Sequence, residues 1–141
     1  MKYEVLVIDD DKILCLVLNK VIESSNLPSA HIFNKANSAL EYITERNTSN
    51  QNFLVFLDIN MPLMNGWEFL TALNSQTLNA KVHVSIITSS IDQNNRKKAN
   101  EFDCIFDFLV RPVKLEDVVK FSELPLLKPF FYFETKLEPV F

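Results

Sequence analysis

One glycine in 141 residues is the first peculiarity of this chain. Glycine enters left-handed backbone most freely, so most turns here must be made by Asn, Ser and Pro. Asn26, Asn47 and Asn50 stand where turns are expected. Cysteine is scarce too: Cys15 and Cys104 both lie in apolar surroundings. Two cysteines exclude a disulfide framework and read as buried, reduced thiols. No stretch approaches the ~18 apolar residues needed to cross a bilayer, so no membrane segment is expected. The first residues after Met1 form a strand-like run ending in acids, and no secretory signal is expected. There is no excess of basic charge: a net charge of −4 argues against a general nucleic-acid binder. A cytoplasmic protein is the resulting expectation. Hydrophobic residues at 48% and charged residues at 23% are ordinary for a globular chain, and 141 residues suit one domain with a sizeable core.

What is present is organised around one stretch, Phe53-Leu-Val-Phe-Leu-Asp58-Ile-Asn-Met-Pro-Leu-Met-Asn-Gly66. An apolar run bounded by turn signals reads as a buried strand, and Asp58 stands where that strand leaves the core. Similar strands are read at Lys2–Ile8, around Ala30–Asn34, at Val82–Thr88 and at Ile105–Val110. Helical spacing falls between them. Leu14, Val17, Leu18 and Val21 predict one amphipathic stripe, capped by Asp11 and ended by Ser24-Ser-Asn26 and Pro28. Ala36, Ala39, Leu40 and Ile43 predict a second, with Ser38 and Glu41 spaced as a capping box. Gly66, Phe69, Leu70 and Leu73 predict a third, boxed by Asn65 and Glu68. The helix at Asp92–Phe102 offers little beyond Ala99 and Phe102 to bury, so it is expected to be held loosely. Leu115, Val118 and Val119 start a short last helix.

Five strands alternating with five helices predict an α/β fold, a doubly wound parallel sheet. Strand order 2-1-3-4-5 is one common solution, with its switch point between strands one and three. Asp9, Asp10 and Asp58 would stand there, joined by Thr88 and Arg111 from the ends of strands four and five. Three carboxylates in one crevice repel, and a divalent cation relieves them. Carboxylates, a backbone carbonyl such as that of Asn60, and water suit Mg2+. A metal, a hydroxyl and a fixed cation together suit a phosphoryl group, with Asp58 as nucleophile forming an aspartyl phosphate.

The runs Val7-Ile8-Asp9-Asp10-Asp11, Asp58 to Gly66, Ile86-Ile-Thr88-Ser and Phe108-Leu-Val-Arg111-Pro112 resemble the receiver domain of two-component response regulators. The likeness covers about residues 3–121. It implies a (βα)5 flavodoxin-like domain, occupying residues 1–123, whose Asp58 accepts phosphate from a histidine kinase or a histidine phosphotransfer protein. It implies that Asp10, Asp58 and the Asn60 carbonyl hold Mg2+, with Asp9 completing the acid pocket. It also implies a switch in which Thr88 moves toward the phosphoryl group and Phe108 turns inward. The chain departs from the family in three places. Arg111 stands where lysine is usual; it keeps the charge but brings a broad planar fork. Glu101-Phe-Asp-Cys104 replaces a common glycine before strand five. Pro125 and Pro129 cut the last helix short.

Residues 124–141 form an aromatic, proline-containing tail, too short for a separate output domain. It either folds back over its own domain or offers an aromatic surface to a partner, and the first is favoured. A homodimer would use the tail or the face made by the fourth helix, the fifth strand and the fifth helix. His31 and His83 have no ligand spacing and read as solvent or core residues, and Arg96-Lys-Lys98 reads as a solvated helix face. Trp67 is expected to pack at the start of its helix. The leading expectation is a phosphoacceptor that acts by protein contacts and not on a separate substrate. The alternatives are a receiver that works as a phosphorylation-independent interaction or dimerisation module, and an aspartyl-nucleophile Mg2+ phosphatase. The last is disfavoured because position 60, where such enzymes want a second acid, is Asn.

Overall fold

The computed structural model describes residues 1–132. Its elements run β1 (Lys2–Ile8), α1 (Lys12–Ser24), β2 (His31–Phe33), α2 (Ala36–Glu45), β3 (Gln51–Asp58), α3 (Gly66–Asn74), β4 (Lys81–Thr88), α4 (Gln93–Ala99), β5 (Ile105–Val110) and α5 (Leu115–Val119). Two 3-10 turns, Lys120–Glu123 and Lys128–Phe130, follow. The strands form one parallel sheet in the order β2-β1-β3-β4-β5. This is the flavodoxin-like (βα)5 arrangement, and its switch point falls between β1 and β3.

β3 is buried along its whole length, as the central strand of a sheet covered on both faces must be. Its alternate residues feed two cores. Phe53, Val55 and Leu57 pack with Leu6, Ile8, Val84 and Ile86 under α2 and α3. Leu54 and Phe56 pack with Val5, Val7, Ile87 and Leu109 under α1 and α5. Each fully buried Phe or Leu contributes about 1.5–3 kcal/mol of transfer free energy.

The α3 face is the expected one: Gly66, Phe69, Leu70 and Leu73 are buried, and Asn65 and Glu68 exchange the two bonds of a capping box. α1 begins as expected on the Asp11 carboxylate, which accepts from the N–H groups of Ile13 and Leu14 at 3.0 Å each. Its buried stripe differs, however. Cys15, Leu18 and Ile22 face the sheet, while Leu14 and Val17 face outward. Residues 13–18 are apolar on every side of the helix, so spacing alone does not select the face. The Ser38–Glu41 box does not form either. α2 begins three residues earlier than a Ser38 cap would give, at Ala36, behind an extended Lys35 that makes no side-chain cap. α4 is shorter than expected and buries only Ala99.

Two features compensate for the shortage of glycine and for the short α5. Asn26 takes φ 69° directly after α1. Asn47 clamps the α3–β4 loop, accepting from the N–H groups of Asn79 (2.6 Å) and Ala80 (2.9 Å) and donating to the Thr77 carbonyl (3.0 Å). Beyond α5 the chain doubles back. Leu127, Phe130 and Phe131 are buried in the α1/α5 core, and Phe130 meets Tyr3 edge-to-face at 5.1 Å. The Tyr132 N–H then donates to the Asn26 carbonyl at 2.7 Å. The part of the tail from 133 to 141 lies outside the described residues.

The glycine at 66 is demanded by space. A Cβ there would lie 2.7 Å from the Ile59 Cα and 3.0 Å from the Asp58 carbonyl oxygen. Gly66→Ala is therefore expected to destabilise the protein by about 1–3 kcal/mol, the usual cost of forcing atoms into a packed site. Phe130→Ala is expected to cost about 3–5 kcal/mol. Urea unfolding of both variants checks these values.

Candidate functional site

Register brings the site together. Ile8 pairs with Leu57, so Asp9 stands abreast of Asp58 one step beyond. Thr88 pairs with Val110, which puts Arg111 at the same sheet edge. Side chains alternate along a strand, and Asp9, Asp58 and Arg111 continue the rows that face α1 and α5. Thr88 continues the opposite row, with Val84 and Ile86.

The three consecutive acids take three roles. Asp9 is buried, and its Oδ1 accepts the Asp11 N–H at 3.0 Å. Asp10 is exposed and Asp11 caps α1. Asp58 is buried, and its Oδ1 accepts the Asn60 N–H at 3.0 Å. Carboxylate oxygens of Asp9, Asp10 and Asp58 lie within 4.8 Å of one another. The Arg111 Nη2 donates to Asp9 Oδ2 and stands 3.6 Å from Asp58 Oδ2, so the arginine reaches into the pocket. Burial is the main cause that pushes the Asp9 carboxyl up to about 6, and the charge of Asp58 adds to it. The Asp11 N–H and the Arg111 guanidinium oppose the rise without cancelling it. A pocket in which one acid is held reluctantly charged has the donor set, hard carboxylate oxygens with an exposed opening, that suits a small divalent cation.

The remaining predicted residues are placed as follows. Thr88 is buried at the strand end, but its hydroxyl donates to the Ser90 carbonyl at 2.8 Å, within its own loop. Asn60 is exposed just past β3. Phe108 is half-buried against the α2/α3 core, with the Arg96 guanidinium 6.0 Å from its ring centre. Trp67 stacks on Phe102 at 6.1 Å, and the Lys98 ammonium lies 5.7 Å from its ring, so it joins α3 to the α4 end.

Sequence reasoning missed three supports of the pocket. Asn34 Nδ2 donates to the Asp9 carbonyl at 2.9 Å, and the Cys15 thiol donates to the same oxygen at 3.3 Å. Burial and the charges of Asp9 and Asp11 push that thiol up to about 12, which keeps it protonated. Leu63 takes φ 69° and is 93% exposed, with the Met64 N–H donating to the Pro62 carbonyl at 2.8 Å. That is a γ-turn of the rare positive-φ kind, and nothing in the residue type announces it. Third, a groove of about 300 Å³ opens from Asp9 and Arg111 between Leu14 and Val17 of α1 and the Pro112-Val113 turn. The all-round apolar run at 13–18 was its available signal.

An acidic pocket with one inward cation stands at the switch point of a five-stranded flavodoxin-like sheet. The family follows from the sequence match: residues 5–122 fit the response regulator receiver domain, and the chain belongs to that family of two-component systems. A two-component response regulator from Legionella pneumophila is similar at 26% identity and TM-score 0.74, over 91% of this chain and 99% of that one. A response regulator receiver protein from Dyadobacter fermentans shares the fold at 20% identity and TM-score 0.74, over 92% and 98%. The chemotaxis protein CheY4 of Vibrio cholerae shares it at 18% identity and TM-score 0.71, over 87% and 98%. By sequence, a probable transcriptional regulator, ycf29, of Pyropia yezoensis is 28% identical over 112 residues. That match takes in 79% of this chain and 48% of the relative, so the chain spans about half the relative's length.

The Arg111–Asp9 pair yields a prediction with a definite sign. A carboxyl whose folded value is raised from 3.8 to about 6 loses folding stability as pH rises through that window, and Arg111 limits the loss. Arg111→Ala is expected to lower stability by about 1.5–3 kcal/mol at pH 7, the range for a charge-assisted bond. The loss should shrink at pH 5, where Asp9 carries a proton. Urea unfolding at the two pH values checks this.

Proposed function

We propose that this receiver is a phosphoacceptor. The carrying observation is the convergence of Asp9, Asp10 and Asp58 within 4.8 Å, with the Arg111 guanidinium reaching both buried acids. In this reading a carboxylate oxygen of Asp58 attacks the phosphorus of a phosphohistidine. The P–N bond breaks, its electron pair returns to the imidazole, and an acyl phosphate forms on Asp58. Asp9, Asp10, Asp58 and the Asn60 carbonyl would hold Mg2+, which when bound neutralises charge on the phosphoryl oxygens.

The chain's own residues supply the rest. Arg111 leaves Asp9 to meet a phosphoryl oxygen, a move its long side chain permits. The Thr88 hydroxyl gives up the Ser90 carbonyl and donates to the phosphoryl group, and its loop follows. Phe108 is half-buried beside weakly anchored α4, where a change in the Thr88 loop is transmitted to the α4–β5–α5 face. That face signals by protein contact. The phosphodonor, a histidine kinase or histidine phosphotransfer protein, meets the domain over the apolar surface of α1 and the groove beside Asp9. The domain catalyses only its own phosphorylation and its loss. A second reading, a phosphorylation-independent module, is favoured by one observation: Arg111 already satisfies Asp9.

Incubation with Mg2+ and acetyl phosphate separates the two readings. A one-phosphate mass gain is expected in the wild type and none in Asp58→Asn. No gain in the wild type, together with no Mg2+-dependent beryllofluoride adduct at Asp58, would favour the module. Mg2+ at ten times its Kd should raise folding stability by about 1.4 kcal/mol. Asp10→Asn and Asp58→Asn should each remove most of that rise in a thermal melt.

A further inference from the structure

Asp10 is exposed, and no hydrogen bond or ion pair among the described residues ties its side chain down. Its carboxylate nevertheless converges with those of buried Asp9 and Asp58 to within 4.8 Å. Its direction is therefore set by the backbone on either side, where three successive peptides are anchored. The Asp9 N–H donates to the Phe33 carbonyl at 3.0 Å, which holds the Ile8–Asp9 peptide. The Asp11 N–H donates to Asp9 Oδ1 at 3.0 Å, which holds the Asp10–Asp11 peptide. The Asp9 carbonyl holds the peptide between them, and it rests on two side chains from other elements.

Those side chains are Asn34, the first residue after β2, and Cys15 of α1. Asn34 Nδ2 donates to the Asp9 carbonyl at 2.9 Å, and the Cys15 thiol donates to it at 3.3 Å. The same Nδ2 stands 3.7 Å from the Cys15 sulfur, so the three groups close a triangle. The end of β2 thus grips Asp9 twice, through the Phe33 backbone and the Asn34 amide. Two donors fill the two lone pairs of the carbonyl, so this oxygen is not a spare metal ligand. Its contribution is orientation. Without the donors, the Asp9–Asp10 peptide is free to turn between its anchored neighbours, and the Asp10 carboxylate swings with it. Mg2+ demands near-octahedral geometry and tolerates such wandering poorly. Groups that orient metal ligands are worth about ten- to a hundredfold in affinity.

We propose that Asn34 is a positioning residue for metal capture. With Cys15 it fixes the Asp9–Asp10 peptide and so aims the Asp10 carboxylate at Asp58. The consequence for Mg2+ rests on the phosphoacceptor reading, while the anchoring of Asp10 does not.

The test uses the full chain and two measurements. Asn34→Leu keeps the volume and removes the amide. Titration calorimetry with MgCl2 should show binding weakened about tenfold in this variant. In metal-free buffer, 15N relaxation should give the wild-type Asp10 amide an order parameter of about 0.85, falling toward about 0.6 in Asn34→Leu, with the Ile22 amide unchanged. Should Asn34→Leu fail to fold, Cys15→Ala removes the other donor from the same oxygen and should move both readouts in the same direction, while Cys15→Ser, which keeps a donor, should restore them. An Asp10 amide as rigid in the variants as in the wild type, with Mg2+ affinity unchanged, would overturn the inference even if stability fell, since Asn34 would then only brace the loop. That result leaves the phosphoacceptor reading intact. A wild type that binds no Mg2+ defeats that reading instead, and a loosened Asp10 amide in the variants still upholds the anchor.

Discussion

Two carboxylates buried side by side at the ends of β1 and β3, answered by one guanidinium from the end of β5, are the constraint on which the rest depends. Asp9 and Asp58 come abreast because β1 and β3 pair in register with Ile8 opposite Leu57. Arg111 reaches them because β5 is long enough to pair Val110 with Thr88. A slip of one residue in either pairing would turn a charged side chain into the opposite core. The apolar runs that specify the sheet therefore also specify the pocket, and the close fit of Gly66 against Ile59 holds the loop that follows Asp58.

Burial holds the Asp9 carboxyl up to about 6 despite the arginine, so its charged form is short of solvation. Such a site gains from an added cation, because direct ligation replaces the missing water. Arginine in place of the usual lysine changes the competition. One guanidinium nitrogen, Nη2, serves both acids, bonded to Asp9 and 3.6 Å from Asp58, at the tip of a planar fork that is broader than a compact ammonium. The residue that would steady a phosphoryl group is the same one that steadies the resting pocket. Thr88 is in a similar position, its hydroxyl held by Ser90.

The strands and the pocket were legible in the sequence because both rest on short-range signals. The run at 53–58 is too apolar for anything but a buried strand, and its abrupt end identifies Asp58. The α1 face was not legible, since Ile13 to Leu18 are all apolar and six such residues exceed what one face buries. The start of α2 was misplaced because Ser38 and Glu41 have the spacing of a box but lie inside the helix, which starts at Ala36. Leu63 gives no warning of its positive φ, a conformation set by the loop on either side of it. The orientation of Arg111 follows from the sheet edge and not from its neighbours in the chain. Fold-back of the tail was expected and is seen as far as Tyr132, with Leu127, Phe130 and Phe131 buried in the α1/α5 core.

The most direct test of the account is a crystal structure grown with Mg2+ and beryllofluoride. It should show the ion bound by Asp10, Asp58 and the Asn60 carbonyl, the fluoride on Asp58, and both Arg111 and the Thr88 hydroxyl turned onto it. An empty pocket, with Arg111 still on Asp9 and Thr88 still on Ser90, would contradict the claim that these strand ends are built to hold a phosphoryl group.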